Sequence, residues 1–183
     1  MEERARRIVE TAIELAEKGG YEAVRLRDVA LKAGVALGTV YKRFRSKEEI
    51  LIAALERHAG TFETMIKAYP IPGDSPTERV SQFFALATNH MCSNANFARA
   101  VLRAVASGEP DLAEKIARFH SMITGIINLT IAGPDDGTPG LDDRYGFLLQ
   151  QIWFAAMVGW MSGLHGEPEV IEQMRFAIDL ILP

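Results

Sequence analysis

Between Arg25 and Lys47 the chain carries seven basic residues (25, 27, 32, 42, 43, 45 and 47) against one acid, Asp28, a local net charge of +6. Cations at that density supply the chemistry of phosphate binding. The plainer reading of the same charge is a solvated basic loop between two core helices. The neutral residues among the cations decide what holds them. Asp28 to Ala33 suits a short helix, with Val29 and Ala33 on one face at i, i+4. Gly34 follows where the chain needs a conformation that a side chain resists, and Leu37 to Arg43 suits a second helix. Ala30 leaves room for that second helix, Gly34 makes the turn, and Val40 is expected to pack beneath Ala30. This is the spacing of a helix-turn-helix, whose second helix enters the major groove of DNA. The candidate contacts are Arg27, Leu37, Gly38, Thr39, Tyr41, Lys42 and Lys47, with Val40 and Phe44 turned inward.

No other constellation offers chemistry. His58, His90, His120 and His165 show no H-E-x-x-H and no spacing paired with Cys, and there is no nucleophile elbow. No enzyme, metal or cofactor is expected. Cys92 stands alone, so no disulfide can form within the chain. It is either a small buried apolar residue or a redox switch.

The stretch KGGYEAVRLRDVALKAGVALGTVYKRFRSKEEIL resembles the DNA-binding region of the TetR family of transcriptional regulators. The matching pieces are Gly19-Gly20-Tyr21, Val29-Ala30, Ala33-Gly34-Val35, Gly38-Thr39-Val40-Tyr41, Phe44 and Ser46-Lys47-Glu48-Glu49. The likeness covers roughly residues 6 to 55, and beyond it only length and helical character match. It implies that Tyr41 and Lys47 contact the DNA backbone. Two departures stand out: the family often has Ser or Thr near Arg25 and Ala36, and those caps are absent here. A missing cap costs about 0.5–2 kcal/mol, so a soft recognition helix is expected off DNA.

The charge distribution agrees. Residues 1–58 carry 12 Lys+Arg and 10 Asp+Glu, net +2, while residues 59–183 carry 8 and 14, net −6, so the overall −4 hides a basic end on an acidic body. The expected division is 1–46, a helix-turn-helix DNA-binding domain, and 47–183, a ligand-binding and dimerisation domain. The charged start (Glu2, Glu3, Arg4, Arg6, Arg7) predicts no secretory leader. Arg4, Arg6 and Arg7 either touch phosphate or fray. Phe147 to Leu164 is apolar, but Gln150, Gln151 and Ser162 interrupt it, so it reads as a buried helix and the protein as cytoplasmic, with no membrane partner.

The periodicity predicts an all-α chain of about nine helices. The first spans Glu2 to Lys18 and stops at Gly19-Gly20, after which Tyr21 packs into the small core. Ser46 to Glu49 and Ser75 to Glu78 are S-x-x-E capping boxes, opening helices that run to about Tyr69 and Cys92. The first of these is the expected lever between DNA-binding head and body. Further helices are expected over 97–106, 111–131, 142–165 and 168–182, with a turn-rich loop at 133–143.

In the body, flexible and aromatic residues are either core filler or the wall of an effector cavity. The candidates are Phe62, Met65, Phe84, His90, Phe97, Met122, Trp153 and Met157, with Asn89, Asn94, Asn128 and Gln151 as further polar anchors. Ala155, Gly159 and Gly163, spaced by four, leave a strip for close helix approach. With Met174 and Ile178 they form the candidate dimer interface, the alternative being burial within one subunit. The resemblance implies a homodimer reading a palindromic operator in double-stranded DNA. The KGGYEAV stretch and the aromatic penultimate helix are similar to lipid- and steroid-catabolism repressors of that family. That implies a small hydrophobic effector, the alternatives being a ligand-independent or architectural DNA-binding factor, or an activator.

Overall fold

The computed structural model describes residues 2–133 and 144–182, and the described residues form nine α-helices and one 3-10 turn, with no strand. The helices are α1 (Glu2–Ala23), α2 (Leu26–Lys32), α3 (Leu37–Arg43), α4 (Lys47–Ala68), α5 (Pro76–Ser93), α6 (Ala95–Val105), α7 (Ala113–Ala132), α8 (Arg144–Met161) and α9 (Glu167–Ile181), with the 3-10 turn at Pro110–Leu112. The loop expected at 133–143 lies, apart from Gly133, outside the described residues. The fold is all-α, a helix-turn-helix head followed by a helical C-terminal domain.

Two compact units divide the chain: residues 1–58 with 94–117, and residues 59–93 with 118–183. In the first, α1 packs along α6, and α2 packs on α1 and α3. Ala12 and Ala16 on α1 and Ala98 and Ala104 on α6 are fully buried, and small residues on both helices suit close approach. Val24, Val29, Val40, Ile50, Leu51 and Val101 fill the rest of this core.

Gly19 and Gly20 interrupt α1 as their sequence requires. Gly20 has φ +66 and ψ −159, a region open essentially to glycine alone. The chain resumes a last turn to Ala23, which carries Tyr21 to a half-buried position at the edge of the core.

The second unit packs α9 against α5 and α8. Its interior holds Val80, Phe83, Phe84, Ile126, Ile127, Leu149, Met157, Met174 and Ile178. Phe62, Phe83, Phe84 and Trp153 form a chain of ring contacts with centroids 5.0–5.8 Å apart, and the Trp153 indole donates to Thr88 Oγ1 at 2.9 Å. Among the described residues no helix is long and apolar enough to cross a membrane.

Helix α8 ends at Met161, four residues before the expected stop. Gly163 takes φ +76, its N–H bonds Trp160 O at 3.0 Å, and the Leu164 N–H bonds Gly159 O at 2.9 Å. That pair of bonds closes a helix C-terminus around a left-handed glycine.

Both S-x-x-E boxes form, with one shift. The Glu49 and Glu78 N–H groups donate to Ser46 Oγ and Ser75 Oγ at 3.2 and 3.1 Å. The returning carboxylates, however, accept from Arg45 N–H and Asp74 N–H, one residue before each serine. The boxes therefore fix the approach of the chain as well as the helix start.

Candidate nucleic-acid interface

The turn between α2 and α3 is built as the residue types dictate. Gly34 has φ +65, its N–H bonds Leu31 O at 3.2 Å, and the Val35 N–H bonds Ala30 O at 3.0 Å. This closes α2 and redirects the chain into α3. Neither Arg25 nor Ala36 caps its helix through a side chain, so α3 stands on its own seven residues and on the burial of Val40 and Phe44.

The positions expected to meet DNA share this region. Arg27, Gly38, Tyr41 and Lys42 are exposed, whereas Leu37 and Thr39 are half-buried. Tyr41 is 54% exposed despite its aromatic ring, which suits a side chain that waits for a partner. Lys32 pairs with Glu14 at 2.6 Å. By contrast, Arg25, Arg27, Lys42, Arg43 and Arg45 make no ion pair with any described side chain. Arg45 also acts on the Glu49 carboxylate, and the remaining four cations around this short helix leave a positive field for phosphates.

Lys47 is held differently. Its Nζ lies 3.6 Å from a Glu22 carboxylate oxygen and 3.7 Å from the centroid of the Tyr21 ring. The Tyr21 hydroxyl donates to Glu48, a carboxylate only 7% exposed. Burial, reinforced by the adjacent Glu48 charge, pushes the Tyr21 hydroxyl up to about 12. Burial alone would raise the Glu48 carboxyl as well. The Tyr21 hydroxyl, the helix backbone, Ser46 and Lys47 outweigh it and hold Glu48 below the usual carboxylate range.

Sequence reasoning missed the contacts that brace this region from far along the chain. Arg103 on α6 pairs with Glu22 at 3.0 Å, and Lys115 on α7 pairs with Glu49. Asn94 and Asn96 donate to the Glu17 carboxylate and carbonyl at 2.8 and 3.1 Å. These partners are 66 to 81 residues apart, and no local pattern marks them.

The candidate effector residues are scattered. Phe84 and Met157 are fully buried, Met65 and His90 are exposed, and Phe62, Met122 and Trp153 are half-buried. Phe97 belongs to the first unit, buried with its ring 4.7 Å from that of His58. A cavity of about 290 Å³ in the second unit is lined instead by Ile66, Lys67, Pro70, Ile71, Arg79, Leu129, Thr130 and Gly133. Its buried guanidinium, Arg79, donates to Thr130 O, Gly73 O and Ile131 O at 3.1, 3.1 and 2.7 Å. A polar cluster that includes the expected anchor Gln151, together with Gln150, His120 and Thr124, sits in the same unit. The Gln150 and Gln151 amides donate to His120 Nδ1 at 2.7 and 3.3 Å, and Thr124 Oγ1 donates to Gln150 Oε1 at 2.8 Å. Burial lowers the His120 pKa, which favours a neutral ring with its proton on Nε2.

The candidate dimer positions divide likewise. Ala155 and Gly163 are exposed, Gly159 is half-buried, and Met174 and Ile178 are enclosed within the chain. The Gly159 surface is occupied from inside: a Cβ there would stand 2.3 Å from the His165 ring, whose Nε2 is 2.8 Å from Ala156 O. Large apolar side chains do face outward on these helices, with Phe147 51%, Phe176 68% and Leu180 71% exposed.

Residues 8–54 match the model of bacterial regulatory proteins of the tetR family, and residues 73–181 match that of the tetracyclin repressor-like C-terminal domain. The HTH-type transcriptional repressor KstR of Mycobacterium tuberculosis is 26% identical over 182 residues, covering 98% of this chain and 81% of that protein. The crystal structure of a TetR transcriptional regulator from Rhodococcus sp. RHA1 superposes with a TM-score of 0.86 at 25% identity, covering 100% of this chain and 98% of the other. The transcriptional regulator FadR of Bacillus subtilis, solved in complex with stearoyl-CoA, shares the fold at a TM-score of 0.66 and 21% identity, with 96% of each chain covered.

Proposed function

The chain belongs to the tetR family of bacterial regulatory proteins, and from that premise we propose that it is a homodimeric repressor released from a palindromic operator by a small hydrophobic effector. That it is a DNA-binding transcriptional regulator follows from the family. The single observation that supports the DNA-reading role of α3 in this proposal is the set of exposed cations around that helix. In this reading residues 1–46 read DNA and residues 47–183 bind effector and partner. Lys42, Tyr41, Arg27 and Lys47 contact phosphates, while Leu37, Gly38 and Thr39 face the base edges.

Lys42→Ala is expected to weaken operator binding about tenfold and to reduce the salt slope by about one. Tyr41→Phe is expected to lose less. Both are read by anisotropy titration on a duplex recovered by selection. Equal affinity of Lys42→Ala and wild type on every duplex would remove α3 from the interface.

The dimer is proposed to form through the outer faces of α8 and α9. Phe176 and Leu180, four apart on α9, lie on one face, and Ala155 is a small exposed residue on α8. Phe176→Glu with Leu180→Glu should convert a dimer to a monomer by light scattering. A dimer that survives both would place the interface elsewhere.

For the effector, reversing a 99:1 population requires about 5.5 kcal/mol of differential affinity. Operator binding should fall steeply with a long-chain acyl thioester. Undiminished binding at saturation would contradict release by this class. The scattered candidate effector residues, several tightly buried, favour one second reading, a ligand-independent DNA-binding factor. An acyl thioester that neither raises the melting temperature nor weakens operator binding would support it.

A further inference from the structure

We propose that Glu22 is a positioning residue that governs how freely Lys47 reaches phosphate, and that Arg103 on α6 acts on Lys47 through Glu22. This rests on the reading of Lys47 as a phosphate contact. Lys47 opens α4 and keeps 26% of its side chain exposed, so it is accessible but already engaged. One carboxylate and one aromatic ring hold two cations from different helices. Glu22 Oε2 is 3.6 Å from Lys47 Nζ, and Glu22 Oε1 is 3.0 Å from Arg103 Nη1. The Tyr21 ring lies 3.7 Å from Lys47 Nζ and 3.9 Å from Arg103 Cζ. The ring is itself fixed, because its hydroxyl is bound to buried Glu48.

A single carboxylate shared between two cations attracts each less than it would attract one alone. While Arg103 holds one oxygen of Glu22, the pull on Lys47 is reduced and the ammonium is freer to exchange a carboxylate for a DNA phosphate. Without Arg103, Glu22 retains Lys47 more firmly, so the ammonium exchanges for a phosphate less readily. Without Glu22, Lys47 is released and Arg103 has no route to it. Helix α6 thus sets the affinity of a DNA contact on α4 through a third element, the turn that follows the Gly19-Gly20 break.

The test is a double-substitution cycle in the full chain, with affinity for a selected duplex measured at two salt concentrations. Arg103→Ala should weaken binding about two- to fivefold, the scale of an exposed ion pair. Glu22→Gln should tighten binding by a similar factor, and the double variant should bind like Glu22→Gln alone. Arg103→Lys, which keeps the charge, should restore wild-type affinity. If Arg103→Ala weakens binding equally in both backgrounds and lowers the salt slope by about one, Arg103 is a direct phosphate contact and the proposal fails. It also fails if neither single substitution changes affinity. Lys47→Ala separates the two levels: if it leaves affinity unchanged, the phosphate role of Lys47 is itself wrong.

Discussion

Replacing Arg79 by methionine is expected to lower the stability of the protein by about 3 kcal/mol, a fall in melting temperature of roughly 6–12 °C for a chain of this length. The guanidinium is 8% exposed and its three nitrogens each donate to a backbone carbonyl: Thr130 and Ile131 at the end of α7, and Gly73 before α5. Carbonyls in a last helical turn have no partner within their own helix, and a cation there also answers the negative end of the helix dipole. Methionine keeps the apolar stem and loses every donor, so the two segments lose their bridge and buried carbonyls go unpaired. Arg79→Lys should recover only part of the loss, because an ammonium lacks the planar fork that reaches three carbonyls at once. A melting temperature within 2 °C of wild type, on this ~3 kcal/mol expectation, would show that water replaces the guanidinium without penalty.

The second large effect is expected at Tyr21→Phe, which removes the hydroxyl that donates to Glu48. Leaving a buried carboxylate short of a donor costs about 1–3 kcal/mol at neutral pH. The pH dependence makes the assignment specific. Glu48 has a lowered pKa in the folded chain. Its contribution is therefore fully present above the unfolded carboxyl value, about 4.3, and is lost as pH falls through the folded value. Tyr21 is raised to about 12. Its contribution is present below the unfolded value of about 10 and is lost as pH rises toward the folded one. Urea unfolding across both ranges should show a weaker acid slope for the phenylalanine variant and no Tyr21 contribution on the alkaline side. Parallel stability curves for the two proteins would mean that the hydroxyl contributes nothing to the state of Glu48.

What the sequence made legible was local. Gly34 demanded a left-handed turn and took one at φ +65. Ser46 and Ser75 announced helix starts, and the hydroxyl of each accepts from the backbone N–H three residues on. Gly19-Gly20 marked the break in α1, although one further turn follows it. The exposed cations around α3 could also be named in advance, because helix periodicity assigns faces without knowledge of any partner.

Contacts across long sequence separations were not legible. Nothing near Glu22 points to Arg103, and nothing near Arg79 points to the carbonyls of Thr130 and Ile131. The small-residue spacing of Ala155, Gly159 and Gly163 suggested one smooth strip. The structure places Gly163 beyond the end of α8 and sets the His165 ring over Gly159. Spacing by four cannot tell a glycine that admits a second helix from one that ends its own. Met174 and Ile178 have the apolar period of an interface, but the same period fills a core, and here both are enclosed.

The most direct test of the central reading is selection of bound duplexes from a random pool, followed by titration of the enriched sequence at two salt concentrations. A dimeric operator reader predicts an enriched palindrome with half-sites about one helical turn apart and a steep fall of affinity with salt. Recovery of no common sequence, with weak and equally salt-sensitive binding to every duplex, would contradict it.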